Sequence, residues 1–177
     1  MIEFTEKLSQ ARKSSSLDLL KCNTYLVEYL KDNNLEEFYE YLAHSLLLPS
    51  RIGALTQFII ENGVNIFSYL DYVPAFCFYG TPIKEFEVPS NVKHILYKGF
   101  CKSSLEKIIF PESCVLLDIG TEAFCGTDLT GIIELPKSMS FVEASAFNKT
   151  DISGLYLPKG CGISDPKSAE YYYEWRK

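Results

Sequence analysis

The sequence feature that most constrains this chain is a spacing of phenylalanine and proline that recurs four times between residues 77 and 158. The phenylalanines lie 22, 24 and 23 residues apart and are Phe78, Phe100, Phe124 and Phe147. Each is followed by a proline, in order Pro89, Pro111, Pro136 and Pro158. A period in the low twenties is typical of a solenoid, in which each repeat buries its apolar face only against its neighbours.

The residues before each proline alternate between apolar and other side chains, as in a half-buried strand that the proline ends. The apolar positions are Ile83, Phe86 and Val88; Leu105, Ile108 and Phe110; Leu129, either Ile132 or Ile133, and Leu135; and Ile152, Leu155 and Leu157. The third copy is one residue longer, so the pattern leaves its middle position open. One strand per repeat predicts a small parallel sheet with strands about 4.8 Å apart.

A second apolar series follows each proline, and we expect it to be irregular in structure. Val92 and Ile95 follow Pro89 at the same offsets at which Met139 and Val142 follow Pro136. Residues 66–78 have the same spacing and are interpreted as a partial repeat. The sequence therefore predicts about four to five rungs over residues 66–163.

This cycle of proline, valine or isoleucine, phenylalanine and leucine resembles the BspA-type leucine-rich repeats. The resemblance implies a right-handed solenoid that serves as a recognition surface and has no catalytic residues to transfer. The Gly-Thr-x-Leu turn at residues 126–129 and its counterpart at residues 80–83 also resemble repeats found in bacteriophage proteins, which implies a phage-encoded chain.

Residues 1–65 have helical periodicity instead and are interpreted as an N-terminal helical domain. The pattern predicts four helices, at residues 4–13, 17–32, 35–47 and 51–61, the last of which ends at a left-handed Asn62-Gly63 turn. The first strand of a solenoid has an unpaired edge and an open core end, which this block would cover. Four helices are more than a cap requires, so the block is either a cap alone or also a second interaction surface.

Residues 164–177 are predicted to form a C-terminal capping helix, because Ser164-Asp165-Pro166 is a typical helix start. The aromatic residues of this tail are Tyr171, Tyr172, Tyr173 and Trp175. They either cover Leu155 and Leu157 of the last rung or form a segment that binds a partner. The predicted fold class is α+β, a helical block capping a short leucine-rich-repeat solenoid with a second helical cap.

Composition excludes several classes of function. The net charge of −6 is spread evenly and no stripe of basic residues occurs, so we expect no direct nucleic-acid binding. No apolar run is long enough to span a membrane or to resemble a signal peptide. We therefore expect a cytoplasmic protein, in the host cell cytoplasm if it is phage-encoded.

Six cysteines could form disulfides, but their placement favours buried free thiols. Cys101 and Cys125 directly follow anchoring phenylalanines, and Cys77 precedes one. There is no Cys-x-x-Cys pair and there are only two histidines, His44 and His94. We expect no metal site, no cofactor and no catalytic residues, and hence no enzyme.

The outward-facing residue of each predicted strand is the main candidate for binding another protein. These residues are Glu87, Ile109, Glu134 (or Ile133, depending on the inserted residue) and Tyr156, to which the tail adds Tyr172 and Trp175. The apolar ones either contact a partner or are covered by a loop or the C-terminal segment. The sequence thus predicts a non-enzymatic interaction module, most specifically a small phage-encoded inhibitor of a host or defence protein, either monomeric or a small homo-oligomer. The alternative is a structural protein that self-associates through the solenoid.

Overall fold

A computed structural model of the protein describes residues 48–61, 63, 65–68 and 70–176. Within these residues the structure has one α-helix, α1 (Pro49–Glu61), and two short 3-10 helices at Ile66–Ser68 and Pro166–Ser168. Ten strands complete it: β1 (Tyr72–Val73), β2 (Glu85–Glu87), β3 (His94–Ile95), β4 (Lys107–Ile109), β5 (Asp118–Ile119), β6 (Thr130–Glu134), β7 (Phe141–Val142), β8 (Asp151–Leu157), β9 (Gly162–Ile163) and β10 (Tyr173–Trp175).

The strands stack as five turns of a parallel solenoid. The predicted strands before the prolines are β2, β4, β6 and β8, and the described part of the chain pairs them as β2-β4 and as β10-β8-β6. The parallel sheet and the number of rungs predicted from the repeat are therefore confirmed. The sheet is split in two, however, between β4 and β6.

The second apolar series is also a sheet, which the sequence did not predict. Strands β1, β3, β5, β7 and β9 pair in that order as a five-stranded parallel sheet. Each strand is only two residues long, and its second residue is the buried one in the first four: Val73, Ile95, Ile119 and Val142. Residues 66–78 supply β1 and so form a true first rung, as expected.

A column of stacked phenylalanine rings runs through the core. The rings of Phe78, Phe100, Phe124 and Phe147 follow one another with centroids 4.7, 5.1 and 4.9 Å apart and planes within 12° of parallel. All four side chains are fully buried. Tyr171 ends the column, with its ring edge-on to Phe147 at 5.9 Å. The phenylalanine anchor of the sequence repeat is thus the contact that each rung makes with the next.

Helix α1 packs against the first rung. Its buried apolar side chains are Ile52, Leu55 and Ile59, which recur at the spacing of one helical face. The approach is close, because a Cβ on Gly53 would lie 2.0 Å from the carbonyl oxygen of Tyr79. This helix confirms the one predicted at residues 51–61, and Gly63 adopts the predicted left-handed conformation at φ +81°. The other three predicted helices lie outside the described residues.

The predicted C-terminal capping helix is wrong. Pro166 begins only a 3-10 turn, and Tyr173–Trp175 forms β10, parallel to β8. The tyrosine-rich tail favours a strand because aromatic side chains pack well on a pleated surface. Its capping role is nevertheless the predicted one, since Tyr173 lies beside Leu155 and Trp175 beside Leu157. The division of the chain at residues 65 and 163 stays a prediction.

None of the helices in the described residues has the length and apolar character needed to cross a bilayer.

Candidate interaction surface

Strand β6 settles which residue of the third repeat faces the core. Ile133 is 9% exposed and Ile132 is 58% exposed. Glu134 is exposed as well, and it lies beside Tyr156 of β8. Glu134, not Ile133, is therefore the outward counterpart of Tyr156, and Ile132 is a second apolar side chain exposed on this strand.

An exposed tyrosine lies one strand away from Ile132. Ile132 is beside Gly154 of β8, and Tyr172 immediately precedes the β10 residue that pairs with Leu155. A Cβ on Gly154 would lie 3.4 Å from Cδ1 of Tyr172, an ordinary van der Waals distance, so the tyrosine ring lies next to this glycine. Tyr172 is 60% exposed.

Arg176 orders the neighbouring part of the same face. Its guanidinium lies 4.5 Å from the ring centroid of Tyr156, and its Nη1 donates to Oε1 of Glu134 at 2.5 Å. The Tyr172 hydroxyl donates to Oε2 of Glu174 at 2.8 Å, and this hydrogen bond raises the pKa of the phenol. We call Ile132, Tyr156, Tyr172, Glu134, Glu174 and Arg176 the C-terminal patch.

The remaining predicted binding residues lie elsewhere. Glu87 and Ile109 are paired on the separate β2-β4 sheet, with Glu87 exposed and Ile109 half-buried. Trp175 pairs with the inward-facing Leu157 but is still 49% exposed, and its indole Nε1 donates to the carbonyl oxygen of Cys161 at 2.8 Å. The structure thus brings together Glu134, Tyr156 and Tyr172, and it makes Trp175 part of the solenoid's end.

Glu87 lies on the rim of an open groove of about 460 Å³. The groove separates the first 3-10 helix from β2, and its apolar walls include Ile60, Ile66, Phe67 and Phe86. The groove lies at the first rungs of the solenoid, whereas the C-terminal patch lies at the last ones.

Sequence reasoning missed an outward row on the five-stranded sheet. Tyr72, His94, Asp118 and Phe141 lie side by side across β1, β3, β5 and β7. His94 Nδ1 and Asp118 Oδ2 are 2.5 Å apart, and Phe141 is exposed. The sequence signal for this row was the residue that precedes each buried valine or isoleucine. Two-residue strands are too short for an alternating pattern to reveal it.

The fold is similar to that of a leucine-rich repeat protein from Eubacterium ventriosum ATCC 27560, with a TM-score of 0.53 and 21% sequence identity. The similarity covers 62% of this chain and 30% of that one, so the chain spans less than a third of that protein's length. No curated protein matches this sequence. A model of the BspA-type leucine-rich repeat region matches residues 54–168 in six copies. Strands β1 to β9 and the four stacked phenylalanines lie within the residues that this model covers, and the chain belongs to the BspA-type leucine-rich repeat family.

Proposed function

We propose that this protein is a non-enzymatic module that binds another protein through the C-terminal patch. The observation that carries the proposal is the exposure of Ile132 and Tyr172, two large side chains one glycine apart on the outer face of a rigid sheet. Contiguous exposed apolar side chains rimmed by polar ones are typical of interaction sites.

The residue types of the patch suit this role. Tyrosine and arginine are enriched among the residues that dominate binding energy in interfaces. Tyr156 and Arg176 are already stacked, and Glu134 holds Arg176 from the other side. A surface held in place before binding loses little side-chain entropy when a partner covers it.

Affinity capture with matched variants tests the proposal. The bait proteins are wild type, Ile132→Asp, Tyr172→Ala and, as the control, Val115→Asp, which adds the same charge at an exposed apolar residue in the loop before β5. We expect one stoichiometric protein from a bacterial lysate with wild type and control, and its loss with both patch variants. Equal capture by all four baits would place the interface elsewhere, and recovery of a small metabolite instead of a protein would contradict the proposal.

The narrower hypothesis, a phage-encoded inhibitor of a host or defence protein, stays a prediction, as does the cytoplasmic location. It rests on the net charge of −6 and the Gly-Thr turns of two repeats. Once a partner is captured, adding the protein to an assay of that partner's activity tests inhibition directly.

A second candidate function is self-assembly, and the free edge of β10 favours it. The sheet order places β10 at the edge of its sheet in the described part of the chain. Unpaired edge strands are templates for pairing with another chain. Light scattering separates the two functions, since assembly predicts a ring or polymer and a binding module does not require one.

A further inference from the structure

Two thiols and a carboxylate from neighbouring rungs meet on the turn side of the solenoid. Cys101 and Cys125 each directly follow a stacked phenylalanine, and the backbone N–H of Lys102 donates to the carbonyl oxygen of Cys125 at 2.9 Å. The two sulfur atoms and a carboxylate oxygen of Glu122 all lie within 4.8 Å of one another. None of these residues belongs to the C-terminal patch.

The two thiols are buried away from water, but the cluster is open to solvent on one side. Cys101 is 2% exposed and Cys125 is 7% exposed, whereas the Glu122 side chain is 38% exposed and opens the cluster to solvent. Burial raises the pKa of the Cys101 thiol to about 11, and burial followed by the charge of Glu122 raises the pKa of Cys125. Without a cation, both sulfurs therefore carry protons at neutral pH.

Lys98 supplies the charge that now balances Glu122. Its Nζ lies 3.2 Å from Oε2 of the glutamate. The ammonium also lies over the ring of Tyr97, 4.8 Å from the centroid. Lys98 thus has an alternative contact beside the cluster, and a metal ion could take its place on the carboxylate.

We propose that Cys101, Glu122 and Cys125 bind a thiophilic divalent cation of the zinc and cadmium class. Two thiolates and one carboxylate are ligands that Zn²⁺ accepts, with water in the fourth tetrahedral position. Bond lengths near 2.3 Å place neighbouring sulfur ligands of a tetrahedral ion roughly 3.8 Å apart, a contraction of at most about 1 Å from the present spacing. On binding, each thiol loses its proton to solvent and each sulfur donates an electron pair to the ion.

The expected consequence is a cross-link between adjacent rungs. Cys101 belongs to the rung of Phe100, and Glu122 and Cys125 belong to the rung of Phe124. A cation that binds only the folded solenoid should raise its melting temperature with increasing concentration.

Titration of the full-length, reduced protein with Cd²⁺ alone tests the site. We expect an ultraviolet thiolate-to-cadmium band that saturates at one ion per chain, with a rise in melting temperature. Cys101→Ser and Cys125→Ser should each weaken binding by roughly 100-fold or more, because one thiolate cannot replace two. Glu122→Gln keeps both thiolates and should weaken binding roughly tenfold. Because its side chain is partly exposed, this variant also tests the site without disturbing the core.

Cys114→Ser and Cys161→Ser are the matched controls, since both remove a buried thiol outside the cluster. They should bind Cd²⁺ as wild type does. The proposal is overturned if wild type shows no band at stoichiometric Cd²⁺, if the band survives in Cys101→Ser and Cys125→Ser, or if Glu122→Gln binds with unchanged affinity.

Discussion

At one position of the repeat, the side chain forms the same hydrogen bond in three copies, and the fourth copy has a different residue there. Three residues after the anchoring phenylalanine, the hydroxyls of Thr81, Thr127 and Thr150 donate to the phenylalanine carbonyl oxygen in their own rung. Ser103 holds this position in the rung of Phe100. Its Oγ is buried and has no hydrogen-bond partner within the described residues.

Ser103→Thr should therefore stabilise the protein. The added methyl group favours the rotamer in which the other copies form their bond, and threonine already fits this buried position in neighbouring rungs. Pairing an orphaned buried hydroxyl contributes about 1 kcal/mol to the free energy of unfolding. Denaturant unfolding of both proteins measures the change.

Thr127→Val is the control for this interpretation. It preserves the shape of the side chain and removes the hydroxyl that bonds to Phe124, so we expect a loss of about 1 kcal/mol. If Ser103→Thr lowers stability while Thr127→Val has no effect, the hydrogen bond is not what this position contributes.

Residue-level prediction from the sequence was accurate for the anchors and incomplete for the third repeat. The four phenylalanines were identified because each is followed by a proline 11 or 12 residues later, and they form the core column. Ile132 and Ile133 could not be told apart by alternation, because a one-residue insertion changes which side faces inward. The β6–β8 register, with its shift beside Gly131, was needed to decide.

At the scale of the element, the sequence revealed only those strands that are long enough to alternate. The strands before the prolines were recognised from three or more positions, whereas β1, β3, β5, β7 and β9 each have two residues. A strand with a single buried residue produces no alternation of apolar and polar residues in the sequence. The five-stranded sheet, and with it the His94–Asp118 pair, could therefore not be expected from the pattern.

The helix prediction for the aromatic tail failed for a different reason. Pro166 after Ser164-Asp165 is a good start signal for a helix, and it does begin a 3-10 turn. The chain then enters β10, because Tyr173 and Trp175 continue the inward positions of Leu155 and Leu157 and cover the open end of the core. Tertiary packing on the last rung decided the structure of this segment.

The packing of helix α1 against the first rung depends on Gly53, so a substitution at this residue tests the position of the helix. Gly53→Ala would place a Cβ 2.0 Å from the carbonyl oxygen of Tyr79 and 2.9 Å from its carbonyl carbon. Helix propensity alone favours alanine by about 1 kcal/mol, but a backbone clash of this size requires the helix to move. Overpacking of buried contacts typically costs about 1–3 kcal/mol, and a clash with backbone atoms belongs at the upper end of that range, so we expect a net loss of about 2 kcal/mol in the free energy of unfolding.

The neighbouring residue provides the control. Ala54 is exposed on the same helix, so Ala54→Gly should cost about 1 kcal/mol through propensity alone. The sign of the Gly53→Ala change decides the question, because a gain in thermal stability would mean that α1 does not approach Tyr79 closely.

In the whole molecule, the surroundings of a residue depend on the rung to which it belongs as well as on its type. Each rung contacts only its neighbours, so the core face of an end rung must be covered by something other than another rung. At the C-terminal end, Tyr171 closes the phenylalanine column and Tyr173 and Trp175 cover the inner leucines. The exposed Tyr172 faces outward from the same segment, so the tail covers the core on one side and carries part of the proposed interaction surface on the other.

The association state is the last prediction, and we expect a monomer at micromolar concentration. The edge strand β10 is only three residues long, and the charged residues Glu174 and Arg176 lie within it and directly after it. Short, charged edges are the means by which natural sheets avoid pairing with copies of themselves, and a net charge of −6 adds repulsion between chains. Size-exclusion chromatography with light scattering should therefore give the mass of one chain, 20.1 kDa. A mass that grows with concentration would show instead that copies of the protein associate, and it would favour the assembly function.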